Sequence, residues 1–314
     1  VKAVIAIGGN ALISDGGAGD IPEQFSRSRA MAAPLADLVE RGWQVTVTHG
    51  NGPQVGSEMR RVELSSGQVY PIDLGLAVAD TQGWMGYMIA QTWQNELRRR
   101  GLQRTCAAVI TTVLVDPDDP GFADPSKPIG DFMTKDIAAA RQQKDGWRIV
   151  EDSGRGYRRV VASPQPVTIN ELPLIRQLAL AGELIVAGGG GGIPVVEGEA
   201  GRLDGVEAVI DKDLTSAIIA AACESDVLAL VTGVEHVFVD FGKPTQRPLR
   251  DVGLNEIRRH IQDDQFPPGS MLPKVQAAVR FLEQSPRDDA RVVITDLFNL
   301  PQALAGETGT TVRK

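Results

Sequence analysis

The sequence predicts an α/β fold: a largely parallel sheet covered by helices on both faces, with a small unit inserted into it. Short aliphatic and β-branched runs at 3–7, 44–48, 106–110, 183–187, 227–231 and 291–295 alternate with longer segments of helical periodicity. That order builds parallel strands joined by crossover helices. Several of the runs end in turns rich in glycine or charge, and ligands of doubly wound sheets sit at such strand ends. Between about 116 and 166 the alternation gives way to prolines and a hairpin pattern, which marks the insertion.

The first run, AVIAI at 3–7, has the length and apolarity of a buried strand and breaks at Gly8-Gly9-Asn10. A polar, glycine-rich loop is expected at 15–20. Pro22 then opens a helix whose apolar Ala32, Leu35, Leu38 and Val39 recur at helical spacing, and Gly42 ends it. The strand at 44–48 runs into HGNGPQVG, residues 49–56. A long helical segment covers 74–100, with Gly101 as its stop, before the strand at 106–110. DPDDPGFADPSKP at 116–128 holds four prolines and no periodicity. After a short helical piece, 147–150 and 157–161 flank Ser153-Gly154-Arg155-Gly156 as a β-hairpin, and Pro164 and Pro166 close the insertion. The alternation resumes with a helix at 171–181, the strand at 183–187 and the glycine run 188–192. The segment 206–210 leads, as a further strand end, into Asp211-Lys212-Asp213 and a helix at 214–223. After the strand at 227–231 come the turn VEHVFVDFGKP, a helix at 254–262, the turn GSMLPK at 269–274, a helix at 275–283 and the strand at 291–295.

A chain of 314 residues is long enough for a large core and fits two domains or one large α/β domain. The expected division is a lobe over 1–210, carrying the insertion at about 116–166, and a second lobe over 211–314. A net charge of −8 and a pI of about 5.1 argue against nucleic acid or an anionic membrane surface as partner. No apolar run approaches the ~20 residues of a bilayer span. The N-terminus enters a strand at once, without the basic-then-apolar pattern of a signal peptide, so the expected compartment is the cytosol. Cys106 and Cys223 lie among apolar neighbours without metal-ligand spacing and read as buried free thiols. His49, His236 and His260 are too scattered for a histidine metal site, and no metal held by the protein alone is expected.

The turns at 8–10, 50–52 and 188–192, with the charged one at 211–213, make a rim of backbone donors suited to phosphate or another anion. Tight strand-to-helix packing is the plainer role for such glycines. None of the turns matches GxxxxGK[ST], and none is GxGxxG with a downstream acid, which disfavours both common nucleotide motifs. The lysines narrow the choice. Of 32 basic residues only eight are lysine, and arginine fills the paired and tripled basic positions. Lys127, Lys212, Lys243 and Lys274 instead lie beside proline, glycine or aspartate in apparent turns. A compact ammonium on a flexible stem suits a moving phosphoryl group. Phosphoryl transfer relies on positioning and on cations that neutralise the transferring oxygens. Lys127, Lys212 and Lys274 are therefore the candidate cations, with Asp211 or Asp213 holding them in place or meeting Mg2+. Helix capping by the aspartates and solvent exposure of Lys127 and Lys274 are the alternatives.

IAIGGNAL, THGNGPQVG, the DPxDPxF…PxKPIG stretch, AGGGGGIPV, GVEAVIDKD, FGKP and PGSMLPKVQAA occur in order along the chain, and the similarity continues to Gly309-Thr310. Together they resemble the carbamate kinases of the amino acid kinase superfamily. The resemblance implies a three-layer α/β/α sandwich with a mainly parallel central sheet, a small protruding subdomain, and a homodimer. It implies reversible phosphoryl transfer, ATP and carbamate (from ammonia and CO2) giving ADP and carbamoyl phosphate, with Mg2+ on the nucleotide and ATP formation in arginine breakdown. Carried over, Gly8, Gly9, Asn10, Gly50, Asn51 and Gly52, with Gly189 and Gly190, would cradle carbamate and the transferring phosphoryl. Lys127 would reach in from the subdomain, Lys212 and Lys274 would stabilise the transferring group and the ATP phosphates, and Asp213 would orient the lysines. Asp211, Thr232, Phe238, Phe241, Gly242, Lys243, Gly269, Ser270 and Met271 would shape the nucleotide pocket. Many relatives carry a lysine inside the first strand, where this chain has Ala6 and Ile7, so another lysine must supply that charge. The segment GDFMTKD at 130–136 and the hairpin at 147–161 depart from the family pattern. A kinase acting on another small acid or a phosphonate, and a nucleotide-binding homologue without catalysis, are the competing expectations.

Overall fold

The computed structural model describes residues 1–13, 19–152 and 156–314, with Asn10 and Ala11 described by their backbone alone. The loop expected at 15–20 and the hairpin tip at 153–156 lie largely outside the described residues. β1 (Lys2–Ile7) ends in a 3-10 turn at Gly9–Leu12. Asp20 starts α1 (Ile21–Glu40) by accepting the Glu23 N–H, with Pro22 in the first turn where its missing donor is not needed. β2 (Gln44–His49), α2 (Gly52–Leu64), α3 (Leu74–Arg99), β3 (Cys106–Ala108) and β4 (Thr112–Val115) follow. Next come α4 (Pro120–Ala123), β5 (Lys127–Met133), α5 (Lys135–Asp145), β6 (Ile149–Glu151), β7 (Tyr157–Val161) and β8 (Pro166–Ile169). After them are α6 (Leu172–Leu180), β9 (Leu184–Val186), β10 (Ile193–Glu197), β11 (Leu203–Gly205), α7 (Lys212–Ala222) and β12 (Val227–Thr232). The chain continues through β13 (Val237–Val239), β14 (Arg247–Leu249), β15 (Asp251–Gly253), α8 (Leu254–Gln262) and α9 (Met271–Gln284). It closes with β16 (Arg291–Asp296), α10 (Leu300–Ala305) and β17 (Thr310–Arg313).

Among the described residues the central sheet has eight strands in the order β15-β17-β16-β12-β1-β2-β9-β3, parallel except for β16 against β17. Alternation along the central strands sends neighbouring side chains to opposite faces. Val4 and Ala6, with Leu228 and Leu230, pack under α7 and α9 against Ile219 and Phe281. Ile5 and Ile7, with Val45 and Val47, pack under α1 and α3 against Leu35, Met85 and Trp93. One run of apolar residues thus serves two cores, giving the three-layer α/β/α sandwich that the family resemblance implies. The insertion carries its own antiparallel sheet, β5-β7-β6, in which β6 and β7 form the predicted hairpin.

The structure differs from the sequence reading at several points. The run at 106–110 ends at Ala108 as a strand. Thr111 then gives its N–H to the Gln82 side chain at 2.7 Å, and the chain enters a second sheet, β11-β10-β4-β8. The segment at 206–210 is not a strand, so Asp211-Lys212-Asp213 does not stand at a strand end. The VEHVFVDFGKP segment is not a plain turn but contributes β13, paired with β14 as a hairpin. Lys127 begins a strand, while Lys212 and Lys274 lie in the first turns of α7 and α9, because Pro273 is tolerated at a helix start. Cys106 is only half-buried, whereas Cys223 is buried. Desolvation pushes their thiols up to about 12 and about 11, so neither is a ready thiolate. Among the described residues no helix is long and apolar enough to cross a membrane.

Candidate active site

The turns after β1 and β2 touch. Gly50 donates its N–H to the Ile7 carbonyl at 2.8 Å, so that amide is spent within the fold. A Cβ on Gly50 would stand 3.0 Å from the Gly9 nitrogen and 3.2 Å from Cδ of Lys212, so the lysine stem lies against a residue that must lack a side chain. α2 begins at Gly52, and of its first turn Gly52 and Gln54 carry N–H groups without an intrahelical acceptor, while Pro53 has none to satisfy. The Asn51 amide turns inward and donates to the Thr81 hydroxyl at 2.8 Å.

The run 188–192 does something different. Gly189 and Gly190 are buried, and a Cβ on either would overlap the His49 ring and the Asn51 amide respectively. The Gly189 carbonyl accepts from Gln82 Nε2 at 2.7 Å, and that of Gly191 accepts from Thr215 Oγ1 at 2.7 Å. These glycines let α3, α7 and two strand ends close on one another.

Charge enters from α7, α9 and the insertion. Asp211 caps α7 by accepting the Asp213 N–H at 2.9 Å. Asp213 receives Lys212 on one carboxylate oxygen and Lys274 on the other, the latter at 2.7 Å. Lys127, from β5, reaches Oδ2 of Asp211 at 2.5 Å. Three ammonium groups thus meet two carboxylates, with Lys212 only 7% and Asp213 only 2% exposed. The surplus positive charge is held where water screens it poorly. Burial pulls the Lys212 ammonium down to about 8 against the opposing pull of Asp213. Burial acts on Lys274 too, but Asp213 and Asp211 outweigh it and hold that lysine above its ordinary value. Desolvation raises both aspartates, yet Lys212 and Lys274 around Asp213, and Lys127 around Asp211, keep them below the usual carboxylate range.

The remaining predicted residues form a second group. Thr232 ends β12 beside Asp296 of β16. Phe238 of β13 tilts against exposed Phe241 at 6.4 Å between ring centroids. Gly242 and Lys243 lie in the turn that follows, where Lys243 pairs with Asp240 at 3.1 Å and not with the buried cluster. Gly269, Ser270 and Met271 lead into α9, which carries Lys274. Gly8 lies under the Val231 carbonyl at the end of β1, with Gly9 beside Asn51, while the Asn10 side chain lies outside the described residues.

Sequence reasoning overlooked three buried polar residues that support the rim. His49 is buried, and desolvation drives its imidazole down to about 4. Its Nδ1 is 3.1 Å from the Gly50 carbonyl, which can only accept, so the neutral ring carries its proton there and Nε2 has no hydrogen-bond partner among the described residues. Gln54 links the Gly9 carbonyl to Gln24 of α1, and Gln82 ties Gly189 to Thr111. Polar residues at buried helical phases of α2 and α3 were the available signal.

Against this geometry, residues 2–296 match the amino acid kinase family, a span that takes in the sheet from β1 to β16 and every charged residue of the cluster. The chain belongs to the amino acid kinase family. Within that family it is 45% identical, over 99% of its length and 98% of the relative's, to the carbamate kinase-like protein YahI of Escherichia coli. It is 42% identical to the carbamate kinase of Clostridium perfringens, over the whole of both chains. Among solved structures, carbamate kinase from Giardia lamblia bound to citric acid superposes with a TM-score of 0.93 at 34% identity, covering 100% of this chain and 98% of that one. The same Giardia enzyme bound to AMP-PNP superposes with a TM-score of 0.89 at 35% identity, over the same shares of the two chains.

Proposed function

We propose that the chain is a carbamate kinase, moving a phosphoryl group reversibly between ATP and carbamate to give ADP and carbamoyl phosphate. The observation that carries this reading is the cluster of Lys127–Asp211 with the buried Lys212–Asp213 pair and Lys274, standing against the glycine turns of β1 and β2. In this reading Gly8, Gly9 and the first-turn amides of α2 hold carbamate and the transferring phosphoryl. Lys212 and Lys274 neutralise the equatorial oxygens as charge moves from the attacking to the leaving oxygen. Asp213 holds these two ammonium groups at a fixed spacing, and Lys127 brings a third from the insertion. The 232–243 segment and residues 269–271 hold the nucleotide.

Magnesium fits this donor set as a passenger of the nucleotide. Asp211 and Asp213 already pair with lysines, and among the described residues no three of His, Cys, Asp and Glu gather as a metal cage. Mg2+ commonly takes one or two carboxylates and completes its shell with phosphate oxygens and water, and Asp211 or Asp213 would be the carboxylate to meet it. Bound there, it would supply charge neutralisation on the phosphates.

The reading extends to two lobes, 1–210 and 211–314, with the subdomain at about 116–166. The pairing of Val115 with Pro166 at the foot of the insertion supports the last of these limits. It extends also to a homodimer in the cytosol. Leu76 and Tyr87, on one face of α3, and nearby Ile110 are more than half exposed, and exposed apolar patches mark contact surfaces. A coupled assay of ATP formation from carbamoyl phosphate and ADP tests the reading. Turnover with these substrates, exceeding that with any other small acyl phosphate or phosphonate in a panel, is the expected result. Preference for another acceptor, or nucleotide binding without turnover, would overturn it.

A further inference from the structure

A cavity of about 220 Å³ lies between α2 and the insertion, lined by neither the lysines nor the aspartates of the cluster. It starts at Gly56, one turn into α2, and follows that helix to Glu63, about 10 Å further at 1.5 Å per residue. On the rim side it is closed by backbone contact. A Cβ on Gly56 would overlap the Gly130 Cα of β5, so helix and strand touch there with nothing between them.

The walls are apolar and carry charges of both signs, Arg60, Arg141 and Arg159 with Glu63 and Asp131, and Asp145 on Arg141. Met59 of α2, Ile129 and Met133 of β5, and Trp147 supply the apolar surface. Glu63 is shared by Arg60 at 2.7 Å and Arg141 at 3.0 Å, and Arg141 takes a second carboxylate, Asp145, at 2.8 Å. Arg159, half-buried on β7, has no ion pair or side-chain hydrogen bond among the described residues. Glu63, Glu207 and Asp145 act on it only from longer range. Its close contact is the Trp147 ring, 4.8 Å from guanidinium carbon to centroid, and Arg141 stands 4.7 Å from the same ring. A guanidinium stays charged at any physiological pH and presents a planar fork of donors that a carboxylate matches with two parallel hydrogen bonds. Two guanidinium groups gathered on one indole, with one of them unpaired, favour an anion between them. The volume equals roughly seven waters at ~30 Å³ each, too little for a nucleotide and enough for a single ring or a short branched chain.

We propose that this cavity is a second ligand site, taking a small carboxylate with an aromatic or branched apolar body. The carboxylate pairs with Arg159 and the body lies against Trp147, Met59 and Met133. Because β5 contributes both Lys127 and the cavity wall, the ligand would clasp the strand that bears Lys127 to α2.

Isothermal titration of the full chain with benzoate tests this without reference to turnover. One saturable site at millimolar concentration is expected. Arg159→Gln should weaken it by about tenfold or more, the scale of a lost charge-assisted pair. Met59→Trp, which fills the cavity and leaves Arg159 in place, should abolish it, and decides the matter if Arg159→Gln does not fold by circular dichroism. Lys212→Ala should bind as the wild type does. No saturable binding, an unchanged constant in a folded Arg159→Gln or Met59→Trp variant, or loss of binding in Lys212→Ala would overturn the proposal, the last because it would put benzoate at the rim.

Discussion

The rim and the insertion supply the same cluster by opposite means. At the rim, Gly9, Gly50 and the run 188–192 are locked by neighbouring strands of the eight-stranded sheet, and the buried His49, Gln54 and Gln82 fill the space their missing side chains leave. The insertion is a separate three-stranded sheet. It packs on α2 and α3 through the Gly56–Gly130 contact and a small core in which Ile129 and Val161 meet Val55 and Val78. Its ion pairs across that seam include Arg141–Glu63 and Lys127–Asp211, the Lys127 side chain being 27% exposed. The comparison teaches where precision and adjustment are divided. Two cations are fixed by the core on either side of Asp213, and a third arrives on an inserted sheet that shares a small core with α2 and α3.

That comparison breaks if the fixed cations are dispensable. Lys212→Ala should lower kcat in the ATP-forming assay by roughly 10²–10³, the scale of one lost, oriented electrostatic donor, and near wild-type turnover would remove the rim from the chemistry. A second test concerns how tightly the rim is held. His49 has a folded value of about 4 against 6.5 for the free imidazole, so the unfolded chain takes up the proton first as pH falls. Stability is therefore whole above pH 6.5 and declines from there towards pH 4, by about 3 kcal/mol at the lower end. Denaturant titrations of wild type and His49→Gln at pH 7 and pH 4 should show that loss in the wild type alone.

Gly56→Ala probes the insertion's attachment, and Gly83→Ala, where a Cβ has open space, is its control. The first should cost about 1–3 kcal/mol through forced backbone shifts, together with a fall in turnover. The second should be neutral or stabilising by up to about 1 kcal/mol in its helix. A further effect is on pH. Because burial holds Lys212 at about 8, kcat/KM should fall as pH rises through that value, about tenfold per unit beyond it, as the ammonium is lost. A flat profile to pH 9.5 would mean that a different cation carries the charge.

Much of the rim was legible in the sequence, because an apolar strand followed by glycines is a local pattern, and β1, β2 and β9 all show it. The second sheet was not. Its strands are short, β8 starts on Pro166, and β10 carries Pro194 directly after the glycine run, so local signals read as loop. The close-packing role of Gly189 and Gly190 depends on His49, Asn51 and Gln82, which lie more than a hundred residues earlier. The candidate lysines were legible as scarce residues beside helix-starting or turn-forming ones, but their partners were not. Lys127 and Asp211 are separated by 84 positions, and only the folded insertion brings them together.

The most direct test of that union is Lys127→Ala, with ATP formation from carbamoyl phosphate and ADP measured beside the melting temperature. Lys127 is partly exposed, and the buried Asp211 carboxylate it would leave still has Lys274 acting on it, so the stability cost is expected to be small. The expected result is a marked fall in turnover with Tm almost unchanged. Wild-type turnover, or a large drop in Tm, would contradict the claim that the insertion delivers a working cation to a site the core has already built.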